Sequence, residues 1–298
     1  MSGAPGAVES VVSLFGLCSN AGRWGRDDER GTLNLIDAGA VRRAIATVTK
    51  GDVVALGRLL VADGSDGGSS PVRLQVFHSS EDRRDALDTL TISQHGFEVT
   101  HLDAVGHSFF EGMAYNGRHA VDIVHAQGLG FGDISAVADG VVTRGILIDI
   151  ARARGCDHLA ATEGISAQHL ADAEECGGTE VLAGDAVFIR VGIGSSRPDD
   201  CGRRAGLLGS AVQWLHQRGV ALYSGDCIER LPGEDDRVPM VLHQVGHVAM
   251  GLAILDNPDV ERLRAACDRH DRSKFMLVVA PLPIRGGTGS AVNPLALF

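Results

Sequence analysis

The order of apolar and polar residues along the chain predicts strands that alternate with helices. Continuous apolar runs rich in β-branched residues, such as "GDAVFIRVGIG" and "KFMLVVAPLPI", are typical of buried strands. In "SAQHLADAEECGG" the apolar residues recur at helical spacing after Ser166, a favourable N-cap, and two glycines follow. A further helix is predicted from "NPDVERLRAACDRH", with Asn257 as its cap and Pro258 at its first position.

The remaining segments continue the same alternation. "VTRGILIDIARARG" predicts a strand followed by a helix, and "LLGSAVQWLHQRGV" predicts a helix that ends at Gly219, before a strand in "ALYSGD". "TLTISQHGFEVTHLDA" predicts one or two strands, whereas the glycine-rich "RGGTGSAVNP" predicts a loop. With no internal repeat and no linker, we expect one α/β domain over residues 1–298, with a mixed sheet and flanking helices.

Composition narrows the classes of protein that fit. Hydrophobic residues make up 44% and charged residues 22%, as in ordinary soluble globular proteins. The net charge of -11, with no compact block of Lys and Arg, argues against a nucleic-acid partner. No segment resembles a signal peptide or a membrane span, and the six cysteines form no C-x-x-C pair. We therefore expect a cytoplasmic protein with reduced thiols and no membrane partner.

The stretch "EVTHLDAVGHSFFEGMAYNG" carries the candidate chemistry. Residues at i and i+2 of a strand share a face, so His101 and Asp103 can point into one pocket. Imidazole and carboxylate together are a common ligand pair for zinc or manganese. His107, beyond a bend expected at Gly106, is a candidate third ligand or general acid/base. A single buried histidine usually only satisfies hydrogen bonds, but three such groups this close together favour a reaction centre.

A second histidine pair lies in "VLHQVGHVAMGLAILDN". His243 and His247 are four residues apart, so they would share one face of a helix. The segment lacks the glutamate of an H-E-x-x-H zinc motif. Spacing alone favours the interpretation that the two histidines form a polar spot on an amphipathic helix. Asp256 ends the segment just before the cap of the next helix, so a role only in the capping region is an alternative to a role in the site.

Four stretches, in order along the chain, resemble the cyclase-like metal-dependent hydrolases, which include bacterial kynurenine formamidase, isatin hydrolase and a trans-dienelactone hydrolase. The four stretches are "WGRDDERGTLNLI", the stretch "EVTHLDAVGHSFFEGMAYNG" described above, "HQVGHVAMGLAILDNPDVERL" and "FMLVVAPLPIRGGTGSAVNPLALF". The second of them is similar to the family motif H-x-G-T-H-x-D-x-P-x-H, which is followed by a Tyr-Asn-Gly segment.

The resemblance implies a swivelling β/β/α-type fold, a homo-oligomer and a set of site residues. It matches His101 and Asp103 to metal ligands and His107 to the catalytic acid/base. It matches His243 and Asp256, less closely, to the later positions that help to bind metal in two-zinc members.

The chain also departs from the family motif. Phe97 stands at the first histidine, Val99 and Thr100 replace the Gly-Thr pair, and Asp256 replaces a glutamate. Because Phe97 cannot bind a metal, the site is expected to hold one metal ion instead of the two of some relatives, or no metal ion. His95, two residues before Phe97, is a candidate substitute if both lie on one face of a strand.

These features together predict a divalent-metal hydrolase, using Zn or Mn, of a small-molecule lactone, lactam or formamide. The metal would lower the pKa of a bound water from about 16 toward 7, and His107 would transfer the proton. The alternative is a metal-independent cyclase, dehydratase or isomerase that uses His107 and Asp103 on a carbonyl compound. A third hypothesis is a binding protein without catalysis.

Overall fold

The computed structural model describes residues 10–62, 70–79, 84–194 and 198–298. Within these ranges, nine strands form one mixed sheet at the centre of the fold. In chain order they are β1 (Val53–Ala55), β2 (His101–Asp103), β3 (Val141–Asp149), β4 (Ala186–Arg190), β5 (Leu222–Gly225), β6 (Ala253–Asp256), β7 (Lys274–Val279), β8 (Gly289–Ala291) and β9 (Leu295–Leu297).

The strands lie across the sheet in the order β1-β9-β7-β3-β4-β5-β6-β2-β8. Strands β3 to β6 are parallel to one another, and β2 runs antiparallel to both β6 and β8. On the other side, β7, β9 and β1 continue the sheet with antiparallel pairings. The central parallel strands are covered on both faces, which explains why their sequences are continuously apolar.

Four longer helices flank the sheet: α1 (Ala38–Ile45), α2 (Ala167–Gly177), α3 (Gly209–Arg218) and α4 (Val260–His270). As predicted, the side chain of Ser166 caps α2, and α3 is followed by Gly219 in a left-handed conformation. The predicted cap of α4 is wrong, because the side chain of Asp259 accepts the hydrogen bond from the Arg262 N–H. Asn257 has a φ of 55° and lies outside the helix.

Two apolar cores occupy opposite faces of the sheet. In β4, Val187 and Ile189 contribute to the core beneath α2 and α3, whereas Phe188 faces the core beneath α4. This alternation follows from the two-residue period of a strand. The result is a layered arrangement with helices on both sides of a mixed sheet.

Shorter elements connect this framework. The short helices are Val11–Ser13, Leu14–Leu17, Gly31–Leu35, Tyr115–Gly117, Ala120–Ile123, Ile134–Val137, Ile150–Ala153, Val241–His243 and the π-helix Gln244–Met250. The short strands are Met113–Ala114, Arg118–His119, Val124–His125, Gly128–Leu129, Gly164–Ile165, Gly206–Leu207 and Ile228–Glu229. Two longer strands, Val72–His78 and Ala86–Ile92, pair only with each other. No helix in the described ranges has the length and apolar character needed to cross a bilayer.

Two predictions near the C-terminus and the site need correction. The segment "RGGTGSAVNP" was predicted to be a loop, but it contains β8, an edge strand paired with β2. Residues 95–99 form a bend and not a strand, so the shared strand face proposed for His95 and Phe97 does not exist. The prediction of a single domain over residues 1–298 stays a prediction, although strands from Val53 to Leu297 enter one sheet.

Candidate metal centre

The pairing of β2 with β6 places three of the predicted site residues together. His101 lies directly opposite Asp256 in the antiparallel register, so their side chains emerge on the same face. Asp103 follows two residues later, and its Oδ1 atom lies 3.3 Å from His101 Nε2. Gly289 lies opposite Asp103 on β8, where a Cβ would come within 2.8 Å of the Leu102 carbonyl oxygen and 3.2 Å of the His95 ring.

Asn257 connects the end of β6 to the segment before β2. Its left-handed backbone turns the chain, and its side-chain amide donates to the carbonyl oxygens of Gly96 and Val99. The Thr100 hydroxyl in turn donates to the Asn257 carbonyl oxygen at 2.7 Å. These bonds hold the two strands in the register that brings His101 to Asp256.

The buried carboxylate of Asp103 lies at the centre of the cluster. Neither of its oxygens accepts a hydrogen bond from any residue in the described ranges. Four imidazole nitrogens nevertheless surround it: His95 Nδ1 at 3.1 Å, His101 Nε2 at 3.3 Å, His243 Nε2 at 3.5 Å and His247 Nε2 at 3.6 Å. Burial of an ionised carboxylate without compensation is costly, so the site requires a metal cation or bound protons.

Hydrogen bonds orient two of these imidazoles toward the carboxylates. His101 Nδ1 donates to the Val99 carbonyl oxygen at 2.8 Å, and His243 Nδ1 donates to Glu229 Oε1 at 2.8 Å. Because a carbonyl or carboxylate oxygen only accepts, Nδ1 carries the proton in both rings, and Nε2 faces Asp103. His243 Nε2 also lies 3.4 Å from Asp256 Oδ2. This arrangement is typical of histidine ligands whose second nitrogen is held by an outer partner.

The spacing of the donor atoms fits a metal ion. Ligands about 2.0–2.1 Å from a tetrahedral zinc lie about 3.3–3.4 Å from one another. The measured separations between the imidazole nitrogens and the carboxylate oxygens fall between 3.1 and 3.6 Å. Among the described residues, three groups of convergent ligand atoms share Asp103: one with His101 and Asp256, one with His243 and His247, and one with His95 and His107.

The carboxylates and imidazoles of the cluster shift one another's pKa values. Burial lowers the pKa of His101, but the carboxylates of Asp103 and Asp256 outweigh it and raise the pKa to about 9. The pKa of His243 is raised well above its usual value against the same effect of burial. Burial raises the pKa of Asp103, but the surrounding imidazoles hold it well below its usual range. Binding of a metal ion here must therefore displace protons.

His107 lies at the edge of the cluster and is partly exposed. Its ring stacks in parallel on the His95 ring, with 3.9 Å between the centroids. Burial lowers the pKa of His107 to about 4, although the charge of Asp103 acts in the opposite direction. The imidazole is therefore neutral at pH 7 with a free nitrogen lone pair, although it is a weaker base than an ordinary histidine.

A cavity of about 240 Å³ opens onto the cluster, with His95, His101, Asp103, His107, His243 and Asp256 in its wall. Its other wall is largely apolar and consists of Phe97, Ile228, Leu231 and Met240, beside the guanidinium of Arg204. Phe97, which stands at the first histidine of the motif, therefore contributes an aromatic surface to the cavity. The size and polarity of this space suit a small organic molecule.

Two residues of the cluster, His247 and Glu229, were not among the predicted site residues, and a third, His95, was only a candidate substitute ligand. The four-residue spacing from His243 pointed to His247, but the preferred interpretation as a polar spot on an amphipathic helix is wrong, since both side chains are buried. His95 reaches Asp103 through the bend before β2. Glu229 had no local signal, because it lies in a separate short strand that only the fold brings to His243.

The first two of the four stretches that resemble the cyclase-like hydrolases contact each other away from the cavity. Asn116 accepts a hydrogen bond from the Gly22 N–H and donates to the Asp28 carbonyl oxygen at 3.0 Å. The Tyr115 hydroxyl donates to Asp28 Oδ2 at 3.0 Å. In this structure, Asn116 therefore anchors the N-terminal segment and does not line the cavity.

Comparison with known proteins supplies the family. Among solved structures, one described as a novel cyclase has 24% sequence identity and a TM-score of 0.77, and the match covers 94% of this chain and 99% of that chain. Isatin hydrolase A from Labrenzia aggregata, bound to benzyl benzoate, has 18% identity and a TM-score of 0.58, with 82% and 93% covered. A predicted metal-dependent hydrolase from Bacillus stearothermophilus has 11% identity and a TM-score of 0.51, with 83% and 98% covered. No curated protein matches the chain at a significant level.

At these identities the similar structures establish the fold, and they confirm the predicted mixed α/β arrangement with flanking helices. The sequence profile of the cyclase family matches residues 31–229, which is more than half of the chain and includes the segment from His95 to His107. The chain therefore belongs to the cyclase family.

Proposed function

We propose that this protein is a metal-dependent hydrolase of a small lactone, lactam or formamide. One observation carries the proposal. The buried Asp103 carboxylate accepts no hydrogen bond within the described ranges, and it faces the Nε2 atoms of two imidazoles whose Nδ1 atoms are already engaged. Such a set of donors suits a divalent cation.

The proposed ligands are His101, Asp103, His243 and Asp256. Imidazole and carboxylate donors are compatible with both zinc and manganese, so the donor set admits either ion. When bound, the cation would polarise a carbonyl group and lower the pKa of a coordinated water. The carboxylates of Asp103 and Asp256 would compensate the positive charge of the bound cation in this buried site.

The other residues of the cavity bind the organic molecule and move the proton. The neutral imidazole of His107 accepts a proton from the attacking water and returns it to the leaving nitrogen or oxygen. Phe97, Ile228 and Met240 provide an apolar wall that excludes bulk water and contacts the hydrocarbon part of the substrate.

The named relatives support this choice of reaction. Two of the similar structures are called an isatin hydrolase and a predicted metal-dependent hydrolase. Isatin is a cyclic carbonyl compound, and a molecule of its size fits a cavity of about 240 Å³.

The proposal is tested by coupling metal content to activity. The purified protein is dialysed against a chelator, its zinc and manganese are measured by mass spectrometry, and each ion is added back with a panel of lactones, lactams including isatin, and formamides. We expect activity to disappear with the metal and to return with one of the two ions. His101→Ala and Asp103→Asn should lose both the bound metal and the activity. His158→Ala changes an exposed histidine outside the cluster and should retain both the metal and the activity.

Full turnover by the metal-free protein and by both ligand variants would contradict the metal mechanism. In that case the same groups act in acid/base chemistry on a carbonyl compound, as in a metal-independent cyclase, dehydratase or isomerase. Binding of panel compounds without turnover in any metal state would indicate a non-catalytic binder.

We further propose that the protein works as a cytoplasmic homo-oligomer. The composition and the resemblance to family members support this proposal. The strands Val72–His78 and Ala86–Ile92, which have exposed apolar side chains, also support it.

A further inference from the structure

His247 lies in the cluster but belongs to none of the roles assigned above. Its side chain is 0% exposed, and neither ring nitrogen has a hydrogen-bond partner in the described part of the chain. A buried polar group without a partner destabilises a fold relative to an apolar side chain of similar size. The position therefore retains a histidine at a cost to stability that its packing does not explain.

The ring of His247 is directed at one oxygen of Asp103. Its Nε2 atom lies 3.6 Å from Asp103 Oδ2, and His243 Nε2 lies 3.5 Å from the same oxygen. His95 and His101 instead face Asp103 Oδ1. The two imidazoles on the Oδ2 side and the carboxylate converge closely enough to share one ion, with their ligand atoms within 4.8 Å of one another.

The backbone that carries His247 is unusual. The helix Val241–His243 continues as the π-helix Gln244–Met250, which ends at Gly251 with a φ of 62°. Short π-helical segments inside helices are often found at functional sites. Val245 and Met250 of the same segment pack into the apolar core, while His247 points to Asp103.

We propose that His247 Nε2 is a further ligand of a divalent transition-metal ion, which it binds together with Asp103 Oδ2 and His243 Nε2. Two imidazoles and one carboxylate favour an ion such as zinc or cobalt over magnesium or calcium. The proposal rests on the proposed function only in that a metal ion binds to this cluster. It assigns no further proton transfer to His247.

The first test separates a ligand from a buried structural residue. In His247→Leu, an apolar side chain replaces the unpartnered imidazole. We expect the metal-free variant to unfold at the same temperature as the metal-free wild type or higher. We also expect its zinc affinity, measured by competition with a chromophoric chelator, to fall at least tenfold, and the rise in unfolding temperature on adding zinc to shrink. Met250→Leu, at a buried residue of the same π-helix, is the matched control and should retain wild-type affinity.

The second test observes ligation directly and remains informative if His247→Leu does not fold. In His247→Cys loaded with cobalt, a thiolate at this position would give a sulfur-to-cobalt charge-transfer absorption that the wild type and Met250→Cys lack. Wild-type zinc affinity in His247→Leu together with no such absorption in His247→Cys would overturn the role of His247 and leave the proposed function intact. A wild-type protein that binds no zinc, manganese or cobalt would overturn both.

Discussion

Glu229 shows how a residue without any local motif can govern the chemistry of a site. Its buried carboxylate accepts hydrogen bonds from the backbone N–H groups of Leu242 and His243, at 3.1 and 2.7 Å. The same carboxylate accepts from His243 Nδ1 at 2.8 Å. It therefore caps the short helix Val241–His243 and also fixes the tautomer and direction of a proposed metal ligand.

Glu229→Gln should weaken metal binding without removing a ligand. A neutral amide is a poorer acceptor for His243 Nδ1–H, so the imidazole loses both orientation and basicity. We expect the affinity for the activating metal to fall about 10–100-fold, as measured by calorimetric titration. Glu174→Gln is the matched control, because Glu174 also accepts from a backbone N–H, that of Val181, far from the cluster. Equal affinities in the two variants would exclude the positioning role of Glu229.

The start of α4 illustrates how neighbouring polar residues divide two tasks. Asn257 and Asp259 are both good capping residues, and the sequence "NPD" alone does not distinguish them. In the fold, Asn257 adopts a φ of 55° outside the helix and its amide NH2 donates to the carbonyl oxygens before β2, whereas the Asp259 side chain accepts from the Arg262 N–H. Asp259 thus caps α4, while Asn257, two residues earlier, holds the segment that leads into the site.

Asp259→Ala should therefore destabilise the protein without affecting the site. Loss of an N-cap typically lowers the free energy of unfolding by about 1 kcal/mol, and Asp259→Asn should recover most of this loss because asparagine also caps helices. Urea denaturation of the metal-free protein measures the first effect. Zinc titration of the same variants should give wild-type affinity, and a large loss of affinity in Asp259→Ala would show that the cap and the cluster are coupled.

The strands Val72–His78 and Ala86–Ile92 form a two-stranded sheet outside the main sheet. Two-stranded sheets are at best marginally stable alone in water. Leu74 lies opposite Leu90 in the register, and these side chains are 47% and 53% exposed. Val76, two residues after Leu74, continues the same face and is also exposed. Exposed apolar faces of this kind are typical of protein–protein contacts, which agrees with the proposed homo-oligomer.

We expect light scattering to show a homo-oligomer of the wild-type protein. Replacement of both leucines, Leu74→Thr with Leu90→Thr, should shift the protein toward the monomer, because it removes apolar area from the contact while keeping residues that favour strands. The double variant Gln75→Ser with Thr89→Ser changes the opposite face of the same strands and should leave the assembly unchanged. A monomeric wild-type protein at micromolar concentration would contradict the proposal.

Local order in the amino-acid sequence was enough to predict much of the framework. The apolar runs of β4 and β7, the Ser166 cap of α2 and the end of α3 at Gly219 are all visible in short stretches of the sequence. The neighbourhood of His101 and Asp103 is of the same kind, since two residues on one strand share a face. The edge strand β8 escaped prediction, because glycines and polar residues in an edge strand carry no apolar period.

Which residues enter the candidate metal centre depends on the order and register of the strands, and not on local sequence patterns. His243 and His247 reach Asp103, and Glu229 reaches His243, because β2 lies beside β6 and the short helix Val241–His243 follows the strand Ile228–Glu229. Asp256 enters the site because it stands opposite His101 in an antiparallel pair. No local period in the sequence predicts the contacts with Asp103 and His101, since His243 and His247 lie more than a hundred residues from Asp103, as Asp256 does from His101. Short-range patterns therefore specified the elements and one pair of candidate ligands, whereas long-range packing selected the groups that complete the site.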